Sequence, residues 1–567
     1  MGFKIVEDRP TPPEVYNLRI YCTGVVIAFG AALFGYCASF IGTALKLPAF
    51  QRDFNLSNDS SANADIISVF QDGAFFGALG GYPLMENLGR KKTLVIAAVL
   101  FDIGCILQIA ATHQLGLIYA GRVVVGVAVG FVTTCAPVYL AELSPPAIRG
   151  RLVGFYEIAY QLMALVAFWL SYGIRQHLDL SSSVTWRIPF AIQIIPGGLL
   201  LVGACFLRES PRYLLKRHRP EEATRNLCWL RKLEPSHTYI EEELSATVIQ
   251  INREKAVAAD FKGNAATRYC RGLWHEATTP GIRNRLVIGF LIMAAQNMSG
   301  INSINYYSPT LFSSIGITDV TLYTGIYGVI KAASSLVFFA FLVDTVGRRL
   351  PLILGGTCSG FFMLYIAVFL KVGDPNGQEV LSHSTKMGGQ AATAFLFLFS
   401  VSYRRVSVDC STGGHLGRRF RLAPQPASRG IDEEELTPLT PALTACPGTV
   451  SPGLSIYPTR IRGACAAWTA AAQWLFQFII ARETPDMIAS MGAWGTFLLF
   501  SMFNFLSAVF AFFFIPETKG KSLEEMDDLF GVKRIDADGP KVASEQQFVE
   551  DNKAVAKSAE QEPQEVV

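Results

Sequence analysis

Apolar runs of about 20 residues recur along this 567-residue chain, the length that carries an α-helix across the hydrocarbon core of a bilayer. They fall at 20–43, 65–86, 94–112, 116–140, 152–174 and 187–207. After a stretch rich in Lys, Arg and Glu at 208–284 they resume at 285–307, 321–343, 350–371, 464–482 and 493–515. A further run, 391–403, stops at Arg404 after only 13 residues. The pattern predicts an all-α membrane protein of two six-helix halves, twelve spans in all with span ten disrupted. Its segments are a cytoplasmic leader 1–19, a first half 20–207, a cytoplasmic linker 208–284, a second half 285–515 and a cytoplasmic tail 516–567 that is polar and disordered beyond about 530.

Basic residues orient the spans, because Lys and Arg concentrate on the cytoplasmic side. Arg90, Lys91 and Lys92 follow span two, Arg149 and Arg151 span four, Arg208, Arg212, Lys216 and Arg217 span six, and Arg348 and Arg349 span eight. Even-numbered ends and the N-terminus are therefore cytoplasmic. The sequons Asn55-Leu-Ser57 and Asn58-Asp-Ser60 then face outside. Composition agrees: 51% of residues are hydrophobic and 17% charged, against about 25% charged in soluble domains. A net charge of +3 points to no nucleic-acid partner. The 11 Cys are scattered, several inside apolar runs, with neither metal nor disulfide spacing. The 7 His make no metal motif, and no P-loop or Ser-His-Asp arrangement is visible. No metal or cofactor is expected, and an enzyme is the least fitting class.

Three short motifs occur once in each half, in the same order. Glu86-x-x-Gly89-Arg90-Lys91 returns as Asp344-x-x-Gly347-Arg348-Arg349. Pro145-x-x-x-Arg149-Gly150 returns as Pro458-x-x-x-Arg462-Gly463, and Pro211 of RESPR (208–212) as Pro516 of PETKG (516–520). An acid, a glycine and paired basics in a tight interhelical loop can form a charge network, with Gly permitting the turn and Arg binding carboxylates. Duplicated halves with such networks suit alternating access, with substrate held where the halves meet.

Polar residues inside spans are costly and mark functional sites. Span seven holds Gln296, Asn297, Asn302, Asn305, Tyr306 and Tyr307. Amides both donate and accept, as hydroxyl-rich ligands require. Gln296 and Asn302 do not share a helix face, so a break near Ser299-Gly300 is predicted to bring both toward a cavity. Span five holds Glu157 and Gln161 at i,i+4, on one face.

The motifs PVYLAELSPPAIRG (137–150), RESPR (208–212), QNMSGINSINYYSP (296–309), DTVGRR (344–349), IYPTRIRG (456–463) and PETKG (516–520) resemble the sugar-porter branch of the major facilitator superfamily. The likeness runs from about 15 to 530. Residues 7–21, 39–50 and 153–173 are most similar to fungal quinate permeases. The resemblance implies a major facilitator fold and a plasma-membrane permease for quinate or a similar polyhydroxy acid, with a proton as possible co-substrate. A hexose, polyol or sugar-acid porter or facilitator is the nearest alternative, and a non-transporting nutrient sensor is one of another class. It places Gln296, Asn297 and Asn302 among substrate ligands and Tyr306 and Tyr307 at a gate. Typical sugar porters have Gln where Glu157 stands, whereas quinate-type members resemble this chain in having Glu; with Gln161 it becomes a candidate substrate ligand and proton carrier. The resemblance also implies a gating network of Glu86, Gly89, Arg90, Lys91, Glu142, Arg149, Glu209, Arg212, Asp344, Gly347, Arg348, Arg349, Arg462 and Glu517, with Arg122 beside Glu142 on the intracellular side. One departure stands in span one: proton-driven sugar porters usually have Asp after Gly35-Tyr36, and here Cys37 follows.

The repeat itself exposes an anomaly. Gly89 and Pro145 lie 56 residues apart, but Gly347 and Pro458 lie 111 apart. The excess surrounds span ten, where 404–454 carries charges and prolines throughout. This segment reads as a translated intron or a frameshifted patch replacing the end of span ten. The alternative is a genuine inserted loop, which would cost a crossing and leave an inactive product.

Overall fold

The structure is a computed structural model. It describes residues 11–56, 60–145, 148–259, 271–272, 274–275, 277–317, 319–337, 349–373, 375, 383–408 and 462–514. Among the described residues every regular element is helical, and nine stretches are long and apolar enough to cross a bilayer.

In the first half, α1 (Leu18–Ala44) lies along α6 (Arg149–His177), and α3 (Ser60–Leu88) along α5 (Leu115–Leu143). Helix α4 (Arg90–Ile109) packs between α5 and α8 (Ile194–Phe206), which continues α7 (Val184–Ile192) to complete span six. Asn17 starts α1 by accepting from the amides of Arg19 and Ile20, which satisfies two of the orphan donors of a helix N-terminus. The inward stretch of α1 from Gly30 to Gly42 is wholly buried.

In the second half, span seven is α12 (Pro280–Met298) followed by α13 (Ile301–Ser314). Then come α14 (Val320–Val337), α15 (Arg349–Gly373), α16 (His383–Val408) and α17 (Arg462–Phe514). The 53 residues of α17 would reach roughly 80 Å if straight, far beyond a bilayer. A break at Gly492, φ 71°, divides them into the two crossings expected at 464–482 and 493–515.

The halves meet along two seams, α3 against α17 and α6 against α14. Helix α14 is the second-half counterpart of α3, and the first part of α17 that of α6, so the two seams are one contact made twice. At the outer end of the first seam Arg482 pairs with Asp65 at 3.2 Å. At its cytoplasmic end Gly463 packs on Tyr82 and Met85.

At span ten the helix outruns the apolar stretch, but it is not among the nine stretches long and apolar enough to cross a bilayer. Helix α16 has 26 residues, roughly 39 Å of helix, twice the apolar run. Its added first turns, 383–390, are His, Ser, Thr, Lys, Met, two Gly and Gln. They are held because Gly388 lets the helix close on the Phe369 ring of α15. Most of 404–454 lies outside the described residues, as do Asp344, Gly347, Arg348 and Glu517.

The linker forms α9 (Pro211–Lys216), α10 (Pro220–Arg231) and α11 (Thr238–Ala259). Among the described residues its main contacts outside itself are with the first half. Trp229 is held between the guanidinium groups of Arg19 and Arg208, 5.2 and 4.7 Å from its ring. Fully buried Arg231 donates to Glu243 and to the Leu143 carbonyl that ends α5.

On the outer side, α2 (Pro48–Asp53) caps the first half. Asp53 accepts from Arg52 at 2.7 Å and from the Trp186 indole at 3.0 Å. Burial works against its charge, but hydrogen bonds from Ser183, Trp186 and Arg52 prevail and bring the carboxyl down to about 2. A carboxylate whose folded value is depressed stabilises above its ordinary value, near 4, and that stability is lost as pH falls toward 2. Asp53→Asn is expected to cost about 1–3 kcal/mol at neutral pH, the scale of lost charged hydrogen bonds. Thermal unfolding between pH 7 and pH 3 should fall less steeply for this variant than for the wild type; parallel profiles would exclude the assignment.

Candidate functional site

Span seven breaks where the sequence predicted. Helix α12 ends at Met298, Gly300 takes φ 90°, and α13 begins at Ile301. A side chain at Gly300 would be strained in this left-handed conformation and would sit 2.6 Å from the Phe500 ring. Across the break Asn302 donates to Asn297 Oδ1 at 2.5 Å. The break thus joins Asn297 to Asn302. Gln296 is one residue away around α12 and half-buried, and its carbonyl accepts from Ser299.

Two amides of α17, which sequence reasoning passed over, complete this cluster. Gln473 accepts from Asn297 at 3.2 Å. Gln477 donates to Asn302 Oδ1 at 3.2 Å and to the Tyr306 hydroxyl at 3.0 Å. They are spaced i,i+4, the signal that singled out Glu157 and Gln161 in span five. The Tyr306 hydroxyl in turn meets Gln71 of α3 at 3.0 Å, so the chain of amides reaches the first half. Tyr307 donates to the Ala481 carbonyl at 2.7 Å, and Ser303 pairs with Thr484 at 2.7 Å, both toward the outer end. Trp474, fully buried, projects from α17 into the first half. Its ring meets Phe34 and Phe70 at 4.8 and 5.7 Å, and its N–H donates to Thr133.

On the first-half side, Gln161 donates to Glu157 at 2.6 Å, both buried on α6. Tyr160, beside them, meets the Phe34 ring at a tilt, 4.9 Å between centroids, and receives Lys331 of α14 over its own ring at 5.4 Å. Lys331 also donates to Asn305 at 3.0 Å. Neither Lys331 nor Gln71 was picked out from sequence. Cys37 donates its thiol to Gln193 at 3.2 Å, and the Arg122 guanidinium lies over Phe70 and donates to the Ile66 carbonyl. Arg122 is thus near the outer end of α5. It stands 20 residues, roughly 30 Å of helix, from Glu142, which corrects its expected intracellular place.

At the cytoplasmic end Glu86, Gly89, Arg90, Glu142 and Glu209 come together. Arg90, 3% exposed, pairs with Glu86 at 2.9 Å and Glu142 at 2.8 Å. Glu209 accepts from the backbone amides of Arg90, Lys91 and Ser210. Burial pushes its carboxyl up despite those bonds. Gly89, φ 98°, leaves the space Glu209 fills, since a Cβ there would collide with the carboxylate. The sequence missed Ser210, which donates to Glu142 at 2.5 Å, and Lys216, which pairs with Glu86 at 2.7 Å. Arg212 departs from expectation: its guanidinium donates to Gln250 of α11. Of the other second-half members, Arg349 and Arg462 begin α15 and α17; their side chains and that of Arg149 lie outside the described residues.

Breaking a buried pair from one side strands the other charge. Arg90→Met is expected to cost about 3 kcal/mol, the low end for a pair whose carboxylates are partly exposed. Adding Glu86→Gln and Glu142→Gln should recover part of it, as read by thermal unfolding of the purified protein. Additive losses across the triple variant would contradict the network.

The profile of the family described as "Sugar (and other) transporter" matches residues 23–407 and 444–530. A protein of Aspergillus niger named "Probable quinate permease" is 38% identical over 541 residues, 94% of this chain and 91% of that protein. One of the same name in Neosartorya fischeri is 37% identical, with 94% and 91% covered. Among solved structures, the fold is similar to the proton:xylose symporter XylE bound to 6-bromo-6-deoxy-D-glucose. The TM-score is 0.66 at 23% identity, covering 90% of this chain and 99% of that one. XylE from E. coli in its inward open conformation gives 0.62 at 22% identity, covering 90% and 99%.

Proposed function

This chain belongs to the sugar transporter family of the major facilitator superfamily, a multi-pass membrane transporter and not an enzyme, and from that premise we propose that it imports quinate or a similar polyhydroxy acid across the plasma membrane. The observation that carries the reading is the run of buried amides from Gln71 through Tyr306, Gln477 and Asn302 to Asn297 and Gln473. Amide groups in a membrane interior are retained for a polar ligand or for packing between helices. Here they bridge both halves, where a ligand of an alternating-access carrier is held. Each amide can exchange its present partner for a ligand hydroxyl without losing a hydrogen bond. The shared name of the fungal relatives supports the substrate class.

Glu157 is proposed as the proton-linked ligand because it is a carboxylate buried within a span on the first-half side of the site, where such groups mark ligand or ion paths, and Gln161 orients it by donating to it. The thiol of Cys37 favours a second reading, that of an uncoupled facilitator, because it supplies no charge near neutral pH. Uptake of labelled quinate in a transport-deficient fungal host decides between them. Glu157→Gln is expected to lower uptake about tenfold or more and to flatten its pH dependence, within the range for a lost acid–base group. Intact uptake with intact pH dependence sinks the assignment, and pH-independent wild-type uptake supports the facilitator. Running the chain beside a version lacking 408–443, the residues outside the family match, tests whether that segment is foreign to transport. Recovery only on its removal is the outcome expected of mistaken coding sequence.

A further inference from the structure

Helix α14 is built inside out. Its buried stripe is Thr324, Gly328, Lys331 and Ser335, spaced as one helix face, while Val329, Leu336 and Val337 are exposed on the other. In lipid this is the expected sense, small and polar residues inward, but a lysine in that stripe is not explained by packing. Lys331 is 2% exposed and lies eleven residues into a span, roughly 16 Å from its outer end, close to the bilayer midplane. Moving an ammonium there is costly, and such residues mark ligand or ion sites.

Its surroundings say which ligand. Gly328, one turn earlier, lets α14 lie close against the Phe168 ring of α6, since a Cβ there would sit 2.8 Å from the ring. This brings the ammonium over the face of Tyr160, three residues from Glu157 and next to Gln161. From its own half the Asn305 amide oxygen accepts at 3.0 Å, and Asn305 stands one residue before Tyr306, in the amide chain described above. Lys331 is therefore held from both halves at the position proposed for substrate. A neutral hydroxyl could accept from this ammonium, but a carboxylate makes the stronger, charge-assisted bond. A carboxylate oxygen could replace the Asn305 carbonyl on Nζ, and the Asn305 amide could turn its N–H to the second oxygen.

We propose that Lys331 recognises the substrate's carboxylate, and so makes the carrier prefer a monoanionic polyol to its neutral counterpart. This rests on the substrate reading above and sharpens it. The hydroxyls are read by the amides, the charge by the lysine, and the Tyr160 ring keeps the ammonium in place when no substrate is bound.

The test is equilibrium binding to the purified full chain in lipid nanodiscs, with labelled quinate and with its neutral carboxamide. Wild type is expected to bind quinate roughly tenfold or more tighter, the scale of one charge-assisted hydrogen bond. Lys331→Met should bring quinate down to the level of the carboxamide, and Lys331→Arg should keep part of the preference because it keeps the charge. A Lys331→Met variant that still prefers quinate, or that loses both compounds equally, overturns the proposal. If that variant does not fold, the wild-type ratio alone decides, and a ratio near one overturns it. A wild type that binds neither compound overturns the substrate reading itself, which separates the two failures.

Discussion

Inside lipid a polar group must find its partner within the protein, because no water is there to supply one. That constraint organises this molecule more than any single motif. Asn297 and Asn302 are tied to one another across the break at Gly300. Gln473 and Gln477 are tied to them from the facing helix, and Tyr306 carries the connection to Gln71 of the other half. Apolar side chains give the bundle its lipid-facing surface, but they do not tell two helices apart in a solvent as greasy as themselves. The amides do. They fix which faces of α13 and α17 meet, and their bonds can be exchanged for those of a ligand.

The same logic at the membrane border produces the charge cluster around Arg90. A guanidinium 3% exposed is sustained by two carboxylates, Glu86 and Glu142, and these by Lys216 and Ser210. The cluster joins α3, α4, α5 and the start of α9 into one end plate. Helix α10, clasped through Trp229 and Arg231, extends it. The first half can thus turn as a unit, while its contacts with the second half run along two equivalent seams. Two like seams about a central polar cluster are what a rocking motion requires.

Much of this was legible in the chain. Span positions followed from hydropathy, and the first-half network from one ordered repeat, because acid, glycine and arginine at fixed spacing have few other uses. The break in span seven was legible because Gly300 interrupts two amide-bearing stretches. What could not be read was partnership across the chain. Gln473 and Gln477 sit among alanines and aromatics and pass for ordinary packing residues until α17 is laid against span seven. Arg122 is carried to the intracellular side only by the family resemblance; span four, with its cytoplasmic end at Arg149, sets residue 122 near the outer end, where the Ile66 carbonyl accepts from it. The extra turns of α16 are not legible in hydropathy because 383–390 are mostly small or polar, whereas Gly388 packs against Phe369.

The central claim is that the two halves rock about the amide cluster and that substrate biases their arrangement. Pulsed electron–electron distance measurement tests it most directly. Spin labels would be placed in a cysteine-free background at the exposed outer ends of α3 and α17, near Asp65 and Arg482, in nanodiscs with and without quinate. The account predicts at least two distance populations whose ratio shifts with quinate. A single distance, unchanged by saturating quinate in a chain shown to bind it, would contradict it.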